Sequence, residues 1–141
     1  MSINEIQDQI VDDFLMMDDW MDRYNLLIEQ SKELPIMDAK YKTEKYLIEG
    51  CQSRVWINCE QRDGLLFFSA DSDAIIAKGL IALLVKVLNG QSAKQVYECD
   101  LYFIEKIGMK ENLTPTRANG LVSMIRQMKM FALAYMSTNQ E

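Results

Sequence analysis

Apolar residues recur at helical spacing almost from the start of the chain. Ile3, Ile6, Ile10 and Phe14 share one face, and Ser2 with Glu5 forms a capping box, which predicts a first helix to about Leu15. Asp18 or Asp19 then caps a second helix with the stripe Trp20, Tyr24, Leu27 and Ile28, and Leu34-Pro35 stops it. The following segment, with Lys40, Lys42 and Lys45, has no clean period and reads as a loop leading to a short extended stretch at 46–48. The period changes to two at 54–61, where Val55, Ile57 and Cys59 alternate with Arg54, Asn58 and Glu60, while Trp56 puts an aromatic on the other face. Asp63-Gly64 supplies a tight turn, because both residues tolerate positive φ, and 65–70 returns as a second strand.

Beyond the hairpin, residues 73–88 predict a helix apolar almost all round, with Asp73 at its N-cap and Lys78 and Lys86 reaching one narrow outlet to water. Asn89-Gly90 ends it, and 100–107 forms a short helix closed by Gly108. Thr114 and Pro115 occupy the N-cap and first turn of a last helix, whose core face is Leu121, Met124, Ile125, Met128, Phe131 and Ala132. No internal repeat, low-complexity tract or linker appears. Helices, a small meander and more helices predict an α+β fold: one domain over 1–141, with an antiparallel sheet of about three strands and helices packed on one face.

Composition agrees with one domain, since 141 residues at 49% hydrophobic content suffice for a core. The longest apolar stretch, 74–88, is interrupted by two lysines and is too short to span a bilayer. The acidic, amphipathic amino terminus is unlike a secretory signal, so the expectation is a soluble cytoplasmic protein that does not engage membranes. Three cysteines at irregular spacing argue against a disulfide framework. Net charge is −6, and residues 1–33, with nine acids and two bases, hold the whole excess. Such acidic helices are either a solvated surface or an electrostatic face for a partner. The scattered lysines make no basic stripe, so nucleic acid is not an expected partner.

The chain has no histidine, which excludes Cys-His and Ser-His-Asp catalysis and histidine-containing zinc sites. A lone thiol can still take up and pass on sulfur. Cys51 follows Gly50 and precedes the strand-like segment in the run Gly50-Cys51-Gln52-Ser53-Arg54-Val55-Trp56. By composition alone it is a small buried hydrophobe, as most free cysteines are. Sulfur transfer needs a reachable thiolate, and two features promise a lowered pKa: Arg54, and a turn at Gly50 that aims backbone N–H groups at the sulfur. Burial, and Glu49 beside the loop, would oppose them. Cys59 shares a strand face with Val55 and Ile57 and reads as core, whereas Cys99, between Glu98 and Asp100, sits where a thiolate is hindered.

The run GCQSRVW, the stretch from Asp71 to Gly79 and the segment from Thr114 to Leu121 resemble, in that order, the SufE family of sulfur acceptors, over nearly the whole chain. The resemblance implies a compact α+β fold of SufE/NifU type. It implies that Cys51 carries a persulfide received from a cysteine desulfurase of SufS type and delivers it to an iron-sulfur scaffold complex of SufBCD type, acting as carrier and desulfurase activator rather than independent enzyme. No cofactor is then expected on this chain, since pyridoxal phosphate belongs to the desulfurase, and no metal site. Gly50, Gln52, Ser53, Arg54, Asp73, Arg117, Asn119 and Gly120 become candidates for loop support and partner contact. Glu49 departs from the family, which favours a non-acidic residue there. Arg117 matches a family arginine near the acceptor loop, or is a plain surface cation. Asn119-Gly120 weakens a helix and so marks close packing or a partner's approach. A CsdE-like acceptor serving another desulfurase, an iron-sulfur scaffold and a peroxide-reactive thiol are the alternative functions.

Overall fold

The computed structural model describes residues 1–138. Strands β1 (Val55–Arg62) and β2 (Leu65–Ser72) pair antiparallel from Val55 opposite Ser72 to Arg62 opposite Leu65. Asp63 at φ 53° and Gly64 at φ 79° make the two-residue turn expected from their tolerance of positive φ. A third strand, β3 (Gln91–Ser92), pairs antiparallel with the start of β2, giving the order β1-β2-β3. The extended stretch expected at 46–48 is not that strand: Tyr46 closes a 3₁₀ turn, and only Leu47 bridges to Trp56.

One sheet face buries Val55, Ile57 and Cys59 beside Leu66, Phe68 and Ala70, which is the alternation the sequence predicts. Against it pack α3 (Ile75–Leu88), buried continuously from Gly79 to Val85, and α7 (Pro115–Thr138), which contributes Leu121, Met124, Met128 and Ala132. The other face carries no α-helix among the described residues; it is covered in part by two 3₁₀ turns, Ala39–Tyr41 and Glu44–Tyr46, with Lys42 5.3 Å from the Trp56 ring centroid and the Tyr41 hydroxyl donating to Glu60. Helices on one face of a small antiparallel sheet is the predicted α+β arrangement.

The helix ends follow local rules. Ser2 and Glu5 form the capping box of α1 (Ile3–Leu15), and Asp19 rather than Asp18 caps α2 (Trp20–Glu33), accepting from the Met21 N–H. On α2 only Leu27 and Ser31 are buried, so the expected stripe at Trp20, Tyr24 and Ile28 is half-covered. Gln7 of α1 is fully buried: its amide donates to the Asp100 carbonyl at 3.1 Å and its oxygen accepts from the Phe103 N–H at 3.2 Å. After α3, the Gly90 N–H donates to Leu66 and the Asn89 side chain accepts from the Phe68 N–H, which turns the chain back onto the sheet. A second capping box, Ser92 with Gln95, opens α4 (Ala93–Glu98). The helix expected at 100–107 is only α5 (Phe103–Lys106), and Gly108, at φ 81°, separates it from α6 (Met109–Asn112). Among the described residues no helix is long and apolar enough to cross a membrane.

Candidate functional site

The segment 48–55 is a short loop closed at its base, where the Ile48 N–H donates to the Val55 carbonyl at 2.9 Å. At its turn Gly50 has φ 88°, a conformation that side chains with a Cβ disfavour, and a Cβ there would also collide with the Ser123 side chain on α7. The loop's exit is held by Asp73, whose carboxylate accepts from the Arg54 N–H at 3.0 Å, and by the Ser72 hydroxyl, which donates to the Arg54 carbonyl at 2.8 Å. Asp73 is therefore not the N-cap of α3. Ala74 takes that position without a side-chain bond, because the chain enters the helix one residue later and Asp73 is spent on the loop.

Cys51 rests half-buried against α7, its Sγ–H donating to the Gly120 carbonyl at 3.5 Å. A Cβ on Gly120 would stand 3.4 Å from the sulfur, so the bare glycine leaves helix backbone as the sulfur's neighbour. The loop and helix enclose a cavity of about 420 Å³. Its floor is the buried Val55, Leu80, Met124 and Gly120, and its rim is the exposed Gln52, Thr114, Thr116 and Arg117. Ser53 and Ala77 fill the sides.

The thiol is not activated in this arrangement. Burial pushes its pKa up, and among the described residues no neighbouring charge or N–H pulls it down, because the expected contributors lie elsewhere. Arg54 offers its backbone to Asp73 and its side chain does not line the cavity. Glu49 lines a separate hollow with Ser123 and Arg126 and adds no upward push of its own.

The other two cysteines differ. Cys59 is buried in the core and its thiol is pushed up to about 12, by burial first. Cys99, half-buried at the end of α4, donates to the Val96 carbonyl at 3.2 Å. Burial raises its pKa most and Asp100 adds to that, as its acidic flanks suggest. The sequence gives no sign, however, of Lys129, a cation that pulls the other way and donates to the Cys99 carbonyl at 2.6 Å. Among the described residues no three Cys, Asp or Glu side chains converge to hold a metal ion.

Of the candidates, Cys51, Gln52, Ser53, Arg117 and Gly120 share one cavity, Gly50 forms the turn, and Arg54 and Asp73 close the loop. Asn119 faces away, into a hollow with Leu101, Ile104 and Val122. The sequence reading missed Ser123, whose only signal is its place one helical turn beyond Gly120, and treated Leu80 and Met124 as core without their second role as cavity floor.

The SufE family model, an Fe-S metabolism associated domain, matches residues 8–132. An uncharacterized SufE-like protein of Rhizobium meliloti is 42% identical over 127 residues, covering 86% of this chain and 91% of that protein. One from Synechocystis is 36% identical, covering 90% and 80%. The chloroplastic/mitochondrial SufE-like protein 1 of Arabidopsis thaliana is 36% identical over 79% of this chain but only 30% of its own length. The solution structure of a hypothetical protein from Thermus thermophilus superposes with a TM-score of 0.78 over 94% of this chain and 96% of that one, at 20% identity, which speaks for the fold alone.

Proposed function

Because the chain belongs to the SufE family of Fe-S metabolism associated proteins, we propose that Cys51 accepts sulfur from the persulfide of a pyridoxal-phosphate-dependent cysteine desulfurase and passes it toward iron-sulfur cluster assembly. The Cys51 thiolate attacks the outer sulfur of the donor persulfide, the donor's S–S bond breaks, and the donor cysteine leaves as thiolate. The net exchange, Cys51–SH plus donor–S–SH giving Cys51–S–SH plus donor–SH, needs no oxidant or reductant. Unloading the donor frees it for another turnover, which is how a carrier stimulates a desulfurase of SufS type without being an enzyme itself. A scaffold complex of SufBCD type would receive the sulfur by the same exchange, and the setting is the cytoplasm.

The observation that carries this reading is the open space beside the sulfur. Cys51 lies against a glycine, on the wall of a cavity with an apolar floor, so a second sulfur atom has somewhere to go. Its raised pKa fits a thiol kept inert at rest and ionised only when a donor arrives.

The test is intact mass after incubation with a desulfurase and cysteine. One added sulfur atom is expected on the wild-type chain and on the Cys59→Ser and Cys99→Ser variants, and none on Cys51→Ser. Equal addition to Cys51→Ser would overturn the reading.

A further inference from the structure

Arg117 is the cation on the wall of the Cys51 cavity, and its guanidinium has no hydrogen-bond, ion-pair or ring partner among the described residues. It lines the same cavity as the Cys51 sulfur. The hydroxyls of Ser53, Thr114 and Thr116 and the Gln52 amide border that space.

The cavity is also larger than one extra sulfur atom requires. At about 420 Å³ it is more than ten times the roughly 30 Å³ share of a water molecule. It falls within the range of about 300–1,000 Å³ typical of small-molecule sites, with an apolar floor and a polar rim. A thiol, an unpaired cation and hydrogen-bonding groups on the walls of one cavity suit a small ligand that carries both a sulfur and an anion.

We propose that this cavity binds a low-molecular-weight persulfide bearing a carboxylate, such as cysteine persulfide, with the carboxylate on Arg117 and the outer sulfur against Cys51. The inference rests on the reading of Cys51 as a sulfur acceptor and adds a second class of donor, one that is not a protein. The Cys51 thiolate forms a bond to the outer sulfur, the S–S bond of the small persulfide breaks, and the free amino acid leaves as its thiolate, which takes up the proton lost by Cys51. Arg117 then acts as a binding residue: guanidinium matches carboxylate in a two-pronged, charge-assisted contact that an ester cannot make.

The experiment uses the full chain without desulfurase, and follows sulfur addition to Cys51 by intact mass against increasing cysteine persulfide, or cysteine methyl ester persulfide as the control that keeps the amine but lacks the carboxylate charge. The expected result is a rate that saturates with cysteine persulfide and is about tenfold lower for the ester at low concentration, the size of one partly exposed charge-assisted contact. Arg117→Ala should bring the acid-to-ester ratio to about one, and Arg117→Lys should recover part of it, with thermal melting confirming that both fold. A rate linear in persulfide, with acid and ester equal in wild type, would overturn the inference. If a desulfurase still loads Cys51 in that case, the carrier reading stands. If neither donor loads Cys51, both fail together.

Discussion

Cys51 and Cys59 are both free thiols, close in sequence, and burial raises the pKa of each. One sits in a loop whose turn needs a glycine, with open space on one side; the other points from a β-strand into close-packed side chains. Their chemistry as isolated residues is the same. What separates them is whether a partner atom can arrive: Cys51 borders an open cavity, while Cys59 is closed in on the core face of the sheet.

The largest expected effect lies in direct labelling. Iodoacetamide should modify Cys51 at least ~10³ times faster than Cys59, since exposing a core thiol requires opening a fold worth on the order of 5–15 kcal/mol. Because burial raises the Cys51 pKa, its thiolate fraction at neutral pH is below that of a free cysteine. Its labelling rate should therefore keep climbing with pH after free cysteine has levelled off. Mass spectrometry of the digested adducts reads both expectations, and equal rates at the two cysteines would erase the contrast.

Next in size is Gly50→Ala. A φ of 88° costs a residue with a Cβ about 1–2 kcal/mol, and the added methyl also meets Ser123. Denaturant unfolding should show that loss, and adding Ser123→Ala should recover only the steric part. If Gly50→Ala were neutral, the loop would be looser than this geometry requires.

The smallest effect is the sharpest probe. Gly120→Ala places a methyl 3.4 Å from the sulfur, an ordinary contact, and should raise helix stability by about 0.5–1 kcal/mol. Cys51 labelling should slow severalfold, because the methyl narrows the cavity beside the sulfur. A more stable protein with unchanged labelling would mean that reagents reach the thiol from elsewhere.

Most of the frame was legible because it is written in local rules. The Ser2–Glu5 box, the Asp63-Gly64 turn, the alternation at Val55, Ile57 and Cys59 and the Thr114-Pro115 start of α7 each depend on residues within a few positions of one another. Strand β3 escaped because two residues carry no period, and its place comes from the Gly90 turn. Helix α4 was readable in principle, since Ser92 and Gln95 form the same kind of capping box that announced α1. At the site, Cys51, Gln52 and Ser53 are sequence neighbours, but Arg117 and Gly120 join them only through the packing of α7, which the three-motif resemblance suggested and periodicity did not. The thiol's electrostatics were least legible: proximity in sequence points to Arg54, but in the fold its backbone serves Asp73 and its side chain lies outside the cavity.

The hydrogen bond that joins Ile48 to Val55 has a mechanical consequence. With its ends pinned there and at Asp73, the loop is a short leash, and three or four residues of extended chain carry the sulfur on the order of 10 Å from its anchor. Such a thiol could not act as a swinging arm between distant stations. If Cys51 does carry sulfur as proposed, giver and receiver must each come to the same small doorstep, and so they must call in turn.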